Sequence, residues 1–195
     1  MKILLSFGAD INVQDLDGTT PLYYAAKKND AGKVQLLISH GANINIKDRI
    51  GITPLHYAIL ENIINIVELL ISLGADINAK DHDGKTPLHY ATVNSNSDVI
   101  KILILRGANI NAEDYNGKTS LHYAVSETFS DVIELLISLG ADIDAKDHDG
   151  KTPLHYAAIK NRSDVKELLI FHGVDINIKD HYGKTPLQLP YKLTY

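Results

Sequence analysis

Apolar residues fall into two alternating kinds of segment. One is dense. In Val99-Ile100-Lys101-Ile102-Leu103-Ile104-Leu105 they cover most of a helical circumference, so a helix here must be covered on several sides. The other is sparse: Leu88 and Ala91 stand three apart and share one face of a shorter helix, which packs through a leucine and a small residue. Polar residues mark the ends. Thr86 is a good N-cap, and Pro87 takes the first helical position, where its missing N–H costs nothing. Ser97-Asp98 opens the second helix with a hydroxyl cap and a negative charge at the positive helix end. Gly107 closes it as the residue able to adopt the left-handed conformation after a helix. Ala108-Asn109-Ile110-Asn111-Ala112 then runs on in extended form. Asp81-His82-Asp83-Gly84, with Asp first and Gly fourth, reads as a type I turn before the helix pair.

This pattern repeats. Thr20-Pro21-Leu22 recurs as Thr53-Pro54-Leu55, Thr86-Pro87-Leu88, Thr152-Pro153-Leu154 and Thr185-Pro186-Leu187, with Thr119-Ser120-Leu121 in the remaining slot, a period of 33 residues without insertion or deletion. Gly18, Gly51, Gly84, Gly117, Gly150 and Gly183 keep the same beat, and so do Gly8, Gly41, Gly74, Gly107, Gly140 and Gly173. A two-helix unit this apolar cannot bury its surface alone, so neighbouring units must stack.

With Asp147 to Asn177 as the best single copy, the unit resembles the ankyrin repeat: the D-x-x-G-x-T-P-L-H-x-A segment is complete, and the family's following L-L and G-A-D-x-N segments are met by Leu168-Leu169 and by Gly173-Val174-Asp175-Ile176-Asn177, with Val174 in place of Ala. The resemblance covers the whole chain. It implies an all-α solenoid of stacked antiparallel helix pairs with projecting β-hairpin fingers. On this reading the full units are 15–47, 48–80, 81–113, 114–146 and 147–179. Residues 1–14 are the second helix and finger strand of a preceding unit, and Ile3-Leu4-Leu5 aligns with Leu36-Leu37-Ile38. Residues 180–195 begin a sixth turn and first helix, which Pro190 interrupts. The chain thus begins within a repeat, as an excerpt of a longer array or a natural start with a weak cap would. Asn29, Asn62 and Asn161 suit a left-handed turn after the first helix; Ser95 and Thr128 hold that place in two units, and a β-branched residue there is strained.

Composition narrows the function. Of 195 residues, 45% are apolar and 22% charged, ordinary for a folded domain. Nineteen basic against 24 acidic side chains leave a net charge of −5, which argues against a nucleic-acid binder working by phosphate neutralisation. Zero cysteines exclude disulfides, thiolate metal sites and a catalytic thiol. The apolar run after Met1-Lys2 stops at Phe7, too short for a secretory signal, and no stretch approaches a membrane span. A cytoplasmic or nuclear location is expected.

Candidate chemistry is sparse. His56, His89, His122 and His155 recur every 33 residues, but stacked helices lie about 8–10 Å apart and zinc–nitrogen bonds are about 2 Å. The ankyrin resemblance implies instead that this histidine fixes the turn by hydrogen bonds to threonine and backbone; Tyr23 and Gln188 fill the terminal slots. His82, His148 and His181 sit on turns, as surface residues or a pH-sensitive contact. Nothing forms a nucleophile motif or a phosphate loop, and the Asp-x-Asp-Gly turns lack the rest of a calcium loop. Neither cofactor nor metal is expected.

Tyr24, Tyr57, Tyr90, Tyr123 and Tyr156 lie two residues past the packing leucine, about 200° around the helix. Their rings point away from the core. Either adjacent rings pack on one another, or they line a binding groove; the two readings are compatible. Departures from the repeat should carry specificity. The second unit has Ile50 and Ile52 where the others carry Asp, Asn, Tyr, Thr or Lys, and Phe129 is a further candidate that packing under its loop would equally explain. The expected partner site is therefore Arg49, Ile50, Ile52, Tyr57, His82, Tyr90, Tyr115 and Tyr123, with both isoleucines exposed. The function expected is a monomeric, non-catalytic protein-interaction scaffold. The alternative is a targeting array from a larger protein with an enzymatic domain elsewhere. An aromatic cage for methylated lysine would need two or three rings around one cavity.

Overall fold

A computed structural model gives the fold and describes residues 10–127 and 129–189. The expected helix at the start of the chain, the strained Thr128 and the helix-breaking Pro190 lie outside these residues. The described residues form ten α-helices in five pairs: α1 Pro21–Lys27 with α2 Ala31–Ser39, α3 Pro54–Leu60 with α4 Ile64–Ser72, α5 Pro87–Val93 with α6 Ser97–Leu105, α7 Ser120–Glu127 with α8 Ser130–Ser138, and α9 Pro153–Ile159 with α10 Ser163–Phe171. A single 3₁₀ turn, Pro186–Gln188, follows.

Each first helix starts where its threonine ends the extended turn. Thr53, Thr86 and Thr152 sit in β geometry and form reciprocal capping boxes with His56, His89 and His155, and proline opens the helix. The second helices begin one residue earlier than the hydroxyls suggest. Asn96 caps α6 by accepting from the Val99 amide at 3.1 Å, Asp30 caps α2, and Ser97 is already helical. The tight turn between paired helices is left-handed at Asn29, Asn62, Ser95 and Asn161, with φ of 52–57°, as expected at all four.

The first helices pack side by side in order, α1 on α3, α3 on α5, α5 on α7 and α7 on α9, with α9 on the 3₁₀ turn. Ala58, Ala91, Ala124 and Ala157 are fully buried in that row, and small side chains let the helices approach. Each second helix packs on its own first helix. Leu55, Leu88, Leu121 and Leu154 join Leu37, Leu70, Leu103, Leu136 and Leu169 in one continuous core. The apolar circumference of α6 is not wholly covered: Val99, Ile100 and Leu103 are buried, while Leu105 is 82% exposed.

The fingers are turns rather than strands among the described residues. Each closes on itself, as where Asp81 donates its amide to the Lys85 carbonyl at 3.0 Å, and each donates one amide to the finger before it. Arg49 to Asp17, His82 to Ile50, Tyr115 to Asp83, His148 to Asn116 and His181 to Asp149 form that series at 2.9–3.2 Å. Glycine is required at the contact. A Cβ on Gly51, whose φ is +85°, would stand 2.6 Å from the His82 nitrogen.

Candidate functional site

The sequence marks the histidine and tyrosine ladders and the finger tips, and the structure assigns them different work. In His89, Nδ1 accepts the Thr86 amide at 3.1 Å, so the proton resides on Nε2, which donates to the Lys118 carbonyl of the next finger at 3.0 Å. His56, His122 and His155 repeat the arrangement toward Lys85, Lys151 and Lys184. Both ring nitrogens are used within the chain, which leaves none for a metal. All four imidazoles are fully buried. Burial pushes them below the ordinary histidine value, His56 to about 4, because an imidazolium there would forgo hydration. Among the described residues no group of three His, Cys, Asp or Glu is placed to hold a metal ion.

The tyrosines do not stack on one another along the array. Tyr90, Tyr123 and Tyr156 set their rings edge-on against His56, His89 and His122 of the preceding repeat, with centroids 5.2–5.7 Å apart. Each hydroxyl donates to the aspartate that opens its own finger: Tyr90 to Asp81 at 2.6 Å, Tyr123 to Asp114 at 2.7 Å and Tyr156 to Asp147 at 2.6 Å. The other oxygen of Asp81 accepts the Asp83 and Lys85 amides at 2.8 Å, so a buried carboxylate is saturated by three donors. Burial and the adjacent carboxylate raise these tyrosines well above the ordinary phenol value. Lysines of the chain itself cover the outer ring faces: Lys85 lies over Tyr123 at 5.6 Å and Lys118 over Tyr156 at 4.9 Å. A methyl-lysine cage has no open face at these two rings.

The expected partner residues accordingly divide. Arg49, Ile50, His82 and Tyr115 are exposed on the fingers, Ile50 at 64% and Tyr115 at 62%. The aromatic ring of His82 borders Gly51, and that of Tyr115 borders Gly84. Ile52 does not belong with them. It is 2% exposed, and its amide donates to Asp48 at 2.8 Å, because two residues past the tip the chain has already turned back into the stack. Tyr57 is also buried, against Tyr23. Tyr90 and Tyr123 are half-buried and committed to the histidine–aspartate network. Phe129 is partly buried against the core, in favour of its packing reading.

Sequence reasoning missed a second ladder, at the base of the fingers. Side chains of Asn12, Asn45, Asn78, Asn111 and Asp144 accept the amides of Asn43, Asp76, Asn109, Asp142 and Asp175 in the following repeat at 2.7–3.0 Å. The signal was present as an Asn or Asp every 33 residues. Of the finger-tip residues, the expected site left out the aspartates. Asp17, Asp83 and Asp149 project from the first, third and fifth fingers, all exposed.

Models of ankyrin repeats match nearly the whole chain: one for three copies over residues 1–81 and 78–147, and one for many copies over 136–189. Among curated protein sequences none matches. Among solved structures, the chain is similar to the ankyrin repeat domain of Bcl-3, described as a unique member of the IkappaB protein family. The match has 28% identity and a TM-score of 0.88, over 96% of this chain and 84% of that one.

Proposed function

The chain belongs to the ankyrin repeat family, and from that premise we propose that it is a monomeric, non-catalytic scaffold which holds a protein partner against its finger tips. One observation carries the reading. Ile50, Tyr115 and Tyr182 stand 62–76% exposed on a row of fingers that the backbone already holds in register. Large exposed side chains on a rigid frame are what a binding surface offers, since little order is lost on association. The four ladder histidines and Asp81, Asp114 and Asp147 are held in internal hydrogen bonds.

Ile50→Asp tests this directly. Cross-linking in cells to a photoreactive residue at Asn116 should yield discrete protein adducts, and Ile50→Asp should remove them while helical circular dichroism and the melting temperature stay unchanged. Adducts that persist in the variant would refute the finger-tip site.

A further inference from the structure

The finger tips alternate in character. In the second position after the turn aspartate stand Ile50, Asp83, Asn116 and Asp149, and Tyr115, one residue before Asn116, gives the fourth finger its largest exposed side chain, so the row reads apolar, acidic, aromatic, acidic. The lysines that share these fingers do not reverse the sign at the tips. Lys85 and Lys151 keep only 30% and 17% of their side chains exposed, against 72% for Asp83 and 59% for Asp149. Each ammonium lies between a ring and its own finger's carboxylate: Lys85 over Tyr123 at 5.6 Å and 3.5 Å from Asp83, Lys151 over Tyr182 at 5.9 Å and 2.5 Å from Asp149. What projects is the carboxylate. Between the two acidic fingers, Asn116 replaces the aspartate, and Tyr115 supplies an aromatic ring 62% exposed.

We propose that this row binds an extended segment of a partner protein in which basic and apolar side chains alternate, the basic ones over Asp83 and Asp149 and the apolar ones over Ile50 and Tyr115. The proposal rests on the finger-tip scaffold reading and adds the chemistry of the partner. Stacked units are about 8–10 Å apart, and a segment in polyproline II conformation advances about 3.1 Å per residue with three residues per turn, so every third partner side chain faces a finger. Arg49, beside Ile50, disfavours a cation at that end and sets the basic positions over the third and fifth fingers. The ion pairs at Lys85 and Lys151 do not block the site, since a carboxylate accepts from several donors and exposed pairs are weak.

The test uses fluorescein-labelled peptides in which Leu, Arg, Leu and Arg stand about three residues apart in a Gly-Ser background, made in both chain directions, with Glu replacing Arg in the control. Anisotropy should show one Arg peptide binding the full chain, with affinity falling as salt is raised, and no binding of the Glu peptide. Asp83→Asn combined with Asp149→Asn should weaken the Arg peptide at least tenfold with an unchanged circular dichroism melt. Equal binding of Arg and Glu peptides, no binding in either direction, or an unaffected double variant would overturn the proposal. If those results come while Ile50→Asp still abolishes the cellular adducts, the partner chemistry fails and the finger-tip site survives. If Ile50→Asp leaves the adducts intact, the site itself fails.

Discussion

The ring of Tyr57 lies 4.3 Å from that of Tyr23, centroid to centroid, at an angle of 45°. Every later pair in this place is a histidine and a tyrosine near perpendicular, 5.2–5.7 Å apart. The closer, tilted contact draws Tyr57 away from Asp48, the partner its register would give it. Among the described residues its buried hydroxyl makes no well-formed hydrogen bond, with Lys27 and Glu61 only near enough to act on it electrostatically. Tyr23 also lacks the imidazole that elsewhere donates to the next finger.

Tyr23→His should therefore stabilise the junction between the first two described pairs. A histidine there would accept the Thr20 amide, donate to the Ile52 carbonyl and release Tyr57 to Asp48. Three hydrogen bonds at about 1 kcal/mol each, less about 1 kcal/mol for the lost contact between the Tyr23 and Tyr57 rings, give an expected gain of about 2 kcal/mol in urea unfolding. An unchanged or lower midpoint would show that the tyrosine pair is itself the better packing.

The buried histidines predict acid lability. An unfolded histidine titrates near 6.5, whereas burial pulls His56 down to about 4 and His89, His122 and His155 downward with it. As pH falls from about 6.5 toward 4, the unfolded chain takes up protons that the folded chain refuses, so stability present at neutral pH is lost through that window. Each refused proton steepens the loss by up to about 1.4 kcal/mol per pH unit. Gln188 already fills this slot in the 3₁₀ turn, where its side-chain oxygen accepts the Thr185 amide at 3.1 Å. His89→Gln should accordingly flatten the pH dependence of the urea midpoint by about one proton. A midpoint that does not change between pH 7 and 5 in the parent chain contradicts this account.

Two glycines of like backbone should respond differently to alanine. Gly51 and Gly74 both have positive φ, +85° and +93°, but a Cβ at Gly74 meets nothing within 4 Å while one at Gly51 meets the backbone of the next finger. Gly74→Ala should cost about 1–2 kcal/mol from φ alone. Gly51→Ala should cost at least twice that, and the excess in thermal unfolding measures finger-to-finger contact.

The two isoleucines of the second finger should separate as surface and core. Ile50→Asp is expected to change stability by no more than about 0.5 kcal/mol. Ile52→Lys places an ammonium where only 2% of the residue is exposed and should cost about 3 kcal/mol. Comparable melts for the two variants would mean that the turn does not bury Ile52.

Much of this architecture is local chemistry, and local chemistry is legible along a chain. Thr86 followed by Pro87, the left-handed Asn62 and the phased glycines act over a few residues each, so their recurrence every 33 residues announces the helix pairs and the stack. The helix spacing argued against a metal site at His89, and the ankyrin resemblance implied its structural role. What the sequence left open was where a side chain goes once repeats meet. Tyr90 has neighbours nine residues before it, at Asp81, and thirty-four before it, at His56; neither spacing is a property of an isolated helix. Ile50 and Ile52 are indistinguishable by residue type, two apart on one turn. Only the return of the chain into the stack buries the second and leaves the first in water. Helix ends and turns are decided by bonds within a few residues, and burial by the neighbouring repeat that packs against them.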